Sequence, residues 1–321
     1  MRLAAWLDRE QRRHPWLGFP LGVAYKFFDD QGGYLAALLT YYAFVSIFPL
    51  LLIFTTAVGI VLANNVELQN RILESALSQF PVIGEQLSYP ERLSGGAVGL
   101  TVGILGALFG GLGVAVALQN AMNVAWSVPR NRRPDPIMAR VRGLVLLLTA
   151  GTALLGLMVL SRIGALLDTG PWQSLAITLG AILLNSALFA VVFRFAPARS
   201  LRFTDVLPGA VAAAVGWQML QDFGTLYVNT VVRNSSLTNS IFAVVLGMLA
   251  LLYLAANIVV MCVEVNVVRV QRLYPRSLLT PFTDNVELTR GDRRSYTRQA
   301  QAQRHKDFQN IEVTFDKRPR P

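Results

Sequence analysis

Apolar residues dominate six long stretches of this chain, and each stretch is long enough to form a helix across a lipid bilayer. A transmembrane helix needs about 20 predominantly apolar residues to cross about 30 Å of hydrocarbon. The pattern therefore predicts an all-α integral membrane protein whose six-helix transmembrane domain covers residues 35–272. The stretches run roughly over residues 35–63, 95–126, 142–167, 174–195, 206–230 and 241–268.

Polar segments flank and interrupt these stretches. Residues 1–34 alternate aromatic and charged side chains, which predicts one or two interfacial helices rather than a separate domain. Residues 64–94 are polar with an apolar spacing near 3.6, which predicts an amphipathic helical loop at the membrane surface between the first two spans. Residues 273–321 are basic and poor in aliphatic side chains, so we expect a largely disordered tail.

Composition and charge placement agree with a membrane protein. Hydrophobic residues make up 53% of the 321 residues and charged residues only 15%, with a mean hydropathy of +0.45. The net charge of +10 comes from basic residues that are concentrated in every second segment between the predicted spans. Because cytoplasmic segments of membrane proteins are rich in Lys and Arg, this distribution predicts that both termini are cytoplasmic. The segments 1–34, 127–142, 194–205 and 269–321 hold 25 of the 29 basic residues. The others are Arg71, Arg92, Arg162 and Arg233.

A stripe of glycines runs along one face of the second span. Its members recur every three or four residues, a spacing that lets two helix backbones approach each other closely. We expect helix packing at this face, while a glycine-lined conduit or hinge stays open as the alternative. The stripe includes Gly99, Gly103, Gly106, Gly110 and Gly113.

Polar side chains inside the spans are candidates for a polar path or for hydrogen bonds that join helices. Helical spacing places four of them on one face of the fifth span, which we expect to turn away from lipid, with Arg233 as the nearest partner of its aspartate. Glu264 lies near Arg269 and Arg272, which favours a snorkelling or arginine-paired carboxylate at the inner surface over a buried proton carrier. The candidates are Gln218, Asp222, Thr225 and Asn229 in span five, Asn257 and Glu264 in span six, and Asn120 and Asn123 in span two.

The first span contains a proline within the stretch "YYAFVSIFP". Pro49 has no amide hydrogen to donate to the carbonyl of Val45, so a helix kink is predicted there. We expect Ser46 to satisfy the backbone carbonyl that Pro49 leaves free.

The inventory of catalytic residues is small. His14 and His305 are the two histidines, one near each terminus, and neither belongs to a metal-binding spacing. The single cysteine, Cys262, excludes an intrachain disulfide. We therefore expect no catalytic residues, no metal and no cofactor.

Four stretches together resemble the YihY/BrkB family of bacterial inner-membrane proteins: "ALLTYYAFVSIFPLLL", "LQNAMNVAWSV", "RFTDVLPGAVAAAVGW" and "MCVEVNVVR". The resemblance implies a six-span protein of the bacterial cytoplasmic membrane without an agreed activity. Members often carry a ribonuclease BN label, and some are described as virulence or serum-resistance factors. Two isolated histidines give the ribonuclease label no support, because metal-dependent RNA hydrolysis needs clustered ligands around an activated water.

Three functions follow from these patterns. The leading hypothesis is a non-enzymatic membrane protein that moves a small solute or a lipid, with polar faces of spans two, five and six lining the path. The alternative is a membrane scaffold or an envelope-integrity factor, and a ribonuclease is the least favoured. The expected partners are the bilayer and anionic lipids at its cytoplasmic face, without nucleic acid, and a homo-oligomer stays open.

Overall fold

The computed structural model describes residues 2–61, 67, 96–166, 173–227, 229–230, 237–280 and 286–315. Within these ranges the regular structure is helical, and no β-strand is present. A short 3₁₀ turn spans Arg130–Arg132. The α-helices are α1 (Arg2–Arg13), α2 (Pro15–Asp29), α3 (Gly32–Val61), α4 (Gly96–Ala125), α5 (Pro136–Leu166), α6 (Gln173–Phe195), α7 (Phe203–Tyr227), α8 (Leu237–Gln271) and α9 (Arg290–Ala302).

The six long helices α3 to α8 lie on the six apolar stretches of the sequence. Apolar surroundings favour helices because each backbone amide finds its partner within the same segment. Among the described residues, three segments are long and apolar enough to cross a membrane by length and composition. They are Gly103–Ala125, Thr178–Phe195 and Phe242–Gln271.

The long helices form a closed circuit of neighbours. Each helix from α3 to α7 packs against the next one in the chain, and α8 returns to pack against α3. Helix α2 also packs against α8. As a result, α8 contacts helices from both ends of the chain.

The best-packed core lies at one end of this bundle, which we call the basal end, where α4 and α6 end and α7 begins. Trp126 and Phe193 are fully buried there against side chains of α7 and α8. Apolar side chains farther along the helices, such as Leu105, Phe109 and Leu183, are exposed. A helix with an apolar exposed face is typical of a protein that lipid surrounds.

The C-terminal tail corrects one prediction, because part of it is folded at the basal end. Helix α9 begins with a capping box in which Thr289 Oγ1 accepts a hydrogen bond from the Asp292 amide at 3.0 Å. Arg276 Nε donates to Asp292 at 2.6 Å, and Arg276 Nη2 donates to Asp29 at 2.8 Å. Composition could not predict this order, because the stabilising partner Asp29 belongs to the other end of the chain.

The predicted amphipathic loop at residues 64–94 lies outside the described residues except for Glu67. The same holds for residues 281–285 and 316–321 of the tail.

The proline of the first span lies within a helix that continues past it. Helix α3 includes Pro49, and the Ser46 hydroxyl donates to the Ala43 carbonyl at 2.9 Å. The expectation that Ser46 satisfies the carbonyl freed by Pro49 is therefore wrong. A helical serine reaches the carbonyls three or four residues before it, whereas Val45 is its immediate neighbour.

Candidate functional site

Three ionisable residues meet inside the basal end, and we call them the buried ion cluster: Lys26, Asp30 and Glu264. Lys26 and Asp30 are four residues apart at the end of α2, and the Lys26 ammonium donates to the Asp30 carboxylate. Lys26 Nζ also donates to the Ala125 carbonyl of α4 at 3.1 Å and lies 3.8 Å from Glu264 Oε2 of α8. The cluster thus joins α2, α4 and α8 through charged groups.

All three side chains of the cluster are buried, with exposed fractions of 2% for Lys26, 7% for Asp30 and 0% for Glu264. Burial alone would lower the pKa of Lys26, but the charges of Glu264 and Asp30 raise it above its usual value. Burial raises the pKa of Asp30 against the opposing effect of Lys26. The group therefore combines one cation with two carboxyl groups in a desolvated site.

Glu264 is the least satisfied member of the cluster. Neither of its carboxylate oxygens accepts a hydrogen bond within the described part of the chain. Even beside a cation, a buried carboxylate is costly when hydrogen bonds do not satisfy its oxygens, and an ionisable group inside a membrane span is by default a functional candidate. Glu264 is accordingly the strongest candidate residue in the described structure.

A cleft of about 370 Å³ borders the buried ion cluster through Asp30. Its other lining residues include Asn120 of α4, Arg133 and Gln299 of α9. Arg133 Nη1 donates to Asn120 Oδ1 at 3.2 Å, and burial lowers the pKa of Arg133, with a further contribution from Arg130. The cleft therefore offers polar groups from three segments next to the buried charges.

The structure corrects the predicted partner of Glu264. Its closest cation is Lys26, while the Arg269 guanidinium donates instead to the Thr204 carbonyl of α7. Five residues of α-helix rotate a side chain by about 140°, so Glu264 and Arg269 point to different sides of α8. The prediction of an arginine-paired glutamate is therefore wrong, and the carboxylate is buried.

Asn266 connects α8 to α7 through side-chain hydrogen bonds, a role that the sequence pattern did not predict. Its Oδ1 accepts a hydrogen bond from the Gly209 amide at 2.7 Å, and its Nδ2 donates to the Val206 carbonyl at 3.0 Å. Pro208 lies inside α7 and cannot donate to the Thr204 carbonyl, which Arg269 satisfies. The position of Asn266 in the "MCVEVNVVR" stretch was the available signal, but its partners are visible only in three dimensions.

The glycine stripe of α4 faces α3 at three positions. A methyl group added at Gly106 would lie 2.7 Å from the Pro49 side chain, and one added at Gly110 would lie 2.5 Å from Ser46 Cβ. A methyl group at Gly113 would overlap the Tyr42 ring. At these positions the two helices are too close to leave a conduit between them. Of the remaining stripe members, Gly99 lies near the start of α4 and Gly103 is buried.

The polar face of the fifth span is exposed rather than turned inward as expected. Asp222, Thr225 and Asn229 are exposed, and Asp222 Oδ1 accepts from Gln218 Nε2 at 3.5 Å. The proposed partner Arg233 lies outside the described residues. Because Gln218 is one turn away on the same helix, the exposed aspartate finds its hydrogen bond locally.

The remaining candidates also form short-range or loop contacts. Asn257 Nδ2 donates to the Tyr253 carbonyl of its own helix at 2.7 Å. Asn123 Oδ1 accepts from the Ala198 amide at 2.7 Å and so fixes the α6–α7 loop against α4. These contacts hold helices and loops, and Asn120 is the candidate that lines the cleft beside the buried ion cluster.

Comparison with known proteins gives the chain its family. The family model described as virulence factor BrkB matches residues 23–285. The chain belongs to the BrkB family. The matched range contains the whole buried ion cluster and Asn266. No solved structure matches this chain.

Several curated relatives resemble this member of the BrkB family at low identity. The inner membrane protein YhjD of Escherichia coli (strain K12) is 24% identical over 78% of this chain and 80% of its own length. The ribonuclease-like protein YfkH of Bacillus subtilis (strain 168) is 23% identical over 74% of this chain and 89% of its own length. The UPF0761 membrane protein of Nitrosospira multiformis is 26% identical over 64% of this chain, which spans 50% of that relative.

Proposed function

We propose that this member of the BrkB family is a non-enzymatic, six-span protein of the bacterial cytoplasmic membrane that moves a small solute or a lipid. The observation that carries the proposal is Glu264, a fully buried carboxyl group of α8 whose oxygens accept no hydrogen bond from the described residues. The buried ion cluster to which it belongs borders a polar cleft through Asp30. Buried ionisable groups in spans often mark substrate or ion pathways. A protein whose polar groups serve only to hold helices would satisfy such a carboxylate or replace it by an apolar side chain.

The contacts at the basal end support cytoplasmic positions for both termini. Arg12 of α1 donates to Ser277 Oγ at 3.2 Å, so the N-terminal helices and the tail lie on the same side. The Asn131 amide of the α4–α5 loop donates to the Arg304 carbonyl of the tail at 3.0 Å. These segments hold most of the basic residues of the chain, which favours the cytoplasmic side for the basal end.

A scaffold without transport activity is the second candidate, and the close packing of α3 against α4, the α3–α4 seam, is compatible with it. Gly106, Gly110 and Gly113 bring α4 against α3, and Asn266 ties α8 to α7. These contacts give the bundle a rigid frame, which either function would use. The two proposals differ in whether Glu264 is required for a flux across the membrane.

A flux assay in proteoliposomes tests the proposal. The probes are protons, chloride and a fluorescent phosphatidylglycerol, each compared with protein-free liposomes. We expect the wild-type protein to accelerate at least one flux and Glu264→Gln to lower that flux at least tenfold at equal protein content. The matched control is Glu312→Gln, because Glu312 is an exposed glutamate of the tail. Wild-type fluxes at the liposome background, or a flux that Glu264→Gln leaves unchanged, would favour the scaffold.

We also propose that the chain has no ribonuclease activity. Within the described residues, no group of three or more His, Cys, Asp and Glu side chains could hold a metal ion. His14 contacts Glu10 at 3.1 Å, and His305 follows α9 in the tail. RNA degradation by the purified protein that His14→Ala or His305→Ala abolishes would contradict the proposal.

A further inference from the structure

Five arginines from separate segments converge on two adjoining clefts at the basal end. The clefts have volumes of about 360 and 450 Å³ and share Arg132, Ala198 and Arg199. Arg142 and Arg194 complete the larger one, and Arg298 belongs to the smaller one. We call the two together the arginine cleft, defined by Arg132, Arg142, Arg194, Arg199 and Arg298.

No carboxylate of the described residues neutralises the positive charge of the arginine cleft. In the ranges that the structure describes, none of its five guanidinium groups forms an ion pair with a carboxylate. The buried Arg276 nearby shows the contrast, because it contacts both Asp29 and Asp292. Burial lowers the pKa of Arg298, and the neighbouring charges of Arg199 and Arg294 lower it further. The cleft thus concentrates like charges that an anion would stabilise.

Aromatic rings hold two of these guanidinium groups in place. Arg194 lies 4.1 Å from the centre of the Phe203 ring, and Arg199 lies 5.3 Å from that of the Trp126 ring. Stacking of this kind orders a guanidinium group without cancelling its charge or occupying all of its donors. The cleft is therefore preorganised for an oxyanion, and phosphate oxygens match the planar fork of arginine.

The position of the cleft points to the membrane surface. Arg194 is in the last turn of α6, whose segment Thr178–Phe195 is long and apolar enough to cross a membrane. The positive-inside rule explains why basic residues follow a membrane span on its cytoplasmic side. It does not explain why α5, two loops and the tail helix α9 direct arginines to the same cleft.

We propose that the arginine cleft binds the phosphate group of an anionic phospholipid from the adjoining leaflet. The recognised chemistry is a phosphate ester, which a free phosphate compound would share. This inference does not depend on transport, because a scaffold could use the same site to bind the leaflet.

The test measures lipid binding to the full-length protein in detergent by native mass spectrometry. Phosphatidylglycerol is titrated against phosphatidylcholine, whose headgroup carries no net charge. We expect preferential retention of phosphatidylglycerol and an affinity at least tenfold lower for the double variant Arg132→Gln/Arg142→Gln, because two charge-assisted contacts are lost. Both side chains are exposed, so this variant leaves the packing intact. The matched control is Arg9→Gln/Arg13→Gln, which removes the same charge from exposed positions of α1 and should bind as the wild type does.

Two further arms separate the sources of the phosphate. If glycerol 1-phosphate displaces the lipid from the wild-type protein, the site accepts the free compound, and if it does not, the bilayer-anchored headgroup is required. Arg194→Gln should weaken binding in the same direction as the double variant. Equal loss in the α1 control, equal binding of the two lipids, or unchanged binding in both cleft variants would overturn the proposal. Tighter, cleft-dependent binding of an RNA oligonucleotide would overturn it as well.

Discussion

The Lys26 ammonium of α2 lies 3.8 Å from the Glu264 carboxylate of α8, and both side chains are fully buried. This pair links α2 to α8, the last long helix of the bundle. It also places the Glu264 carboxylate, whose burial is costly, beside Lys26, which is the cation of the buried ion cluster. The stability of the basal end should therefore depend on Lys26.

Replacing Lys26 by methionine keeps an unbranched side chain of nearly the same length and removes its charge. Because Asp30 and Glu264 would lose their cation, we expect a loss of about 3–5 kcal/mol in stability. Thermal unfolding in detergent, followed by size-exclusion chromatography, measures the effect. Arg9→Met is the control, since Arg9 is exposed. A Lys26→Met protein as stable as this control would show that the cluster contributes no net stability.

The same pair predicts a pH dependence at the alkaline end. The pKa of Lys26 is raised above its usual value of 10.5, because Glu264 and Asp30 outweigh the effect of burial. A cationic group whose pKa is higher in the folded state stabilises the protein fully at pH values below its unfolded-state pKa. This contribution is lost as the pH rises through its folded-state pKa. The stability difference between wild type and Lys26→Met should thus stay constant over about pH 7–9 and shrink above about pH 10.5. A difference that grows with pH would contradict this linkage.

The α3–α4 seam predicts a sharp contrast between two glycines. Gly110→Ala should destabilise the protein by about 1–3 kcal/mol, because the new methyl group would lie 2.5 Å from Ser46 Cβ and 2.7 Å from Ser46 Cα. Gly151 of α5 has no neighbouring atom within 4 Å of the same position, so Gly151→Ala should be neutral or slightly stabilising. Unfolding temperatures of the two variants test the seam. Equal unfolding temperatures would mean that α3 and α4 are not in close contact.

The folded tail depends on Arg276. Arg276→Gln removes the ion pairs with Asp29 and Asp292, and we expect α9 to detach because the buried Asp292 and the half-buried Asp29 lose their partner. Hydrogen exchange of the α9 amides should become at least tenfold faster, while exchange in α6 should stay unchanged. Arg293→Gln, an exposed substitution in α9, serves as the control. Unchanged α9 exchange in Arg276→Gln would contradict the role assigned to this arginine.

Reporter fusions test the proposed topology. A reporter fused after Arg133 should be active in the cytoplasm, and one fused after Asn65 should be active on the opposite side. The expected result follows from the concentration of basic residues near Arg133 and its contacts at the basal end. The opposite pair of signals would reverse the orientation.

Much of the fold could be predicted from the sequence, because apolar runs of about 20 residues favour helices wherever lipid surrounds them. The six stretches appear as α3 to α8, and the four quoted motifs pointed to the family that the comparison shows. Helix spacing also aligned Gly106, Gly110 and Gly113 on one face.

The tertiary structure decided which polar groups meet. Local spacing favoured Arg269 as the partner of Glu264, but the burial of α2 against α8 supplies Lys26 instead. Composition indicated a disordered tail, yet Asp29 and Asp292 order it through Arg276. The sequence by itself determined the helices and the family, because these depend on local hydrophobicity and motif spacing. Charge pairing between distant segments needed the folded bundle, because such contacts arise only when separate helices share a desolvated interior.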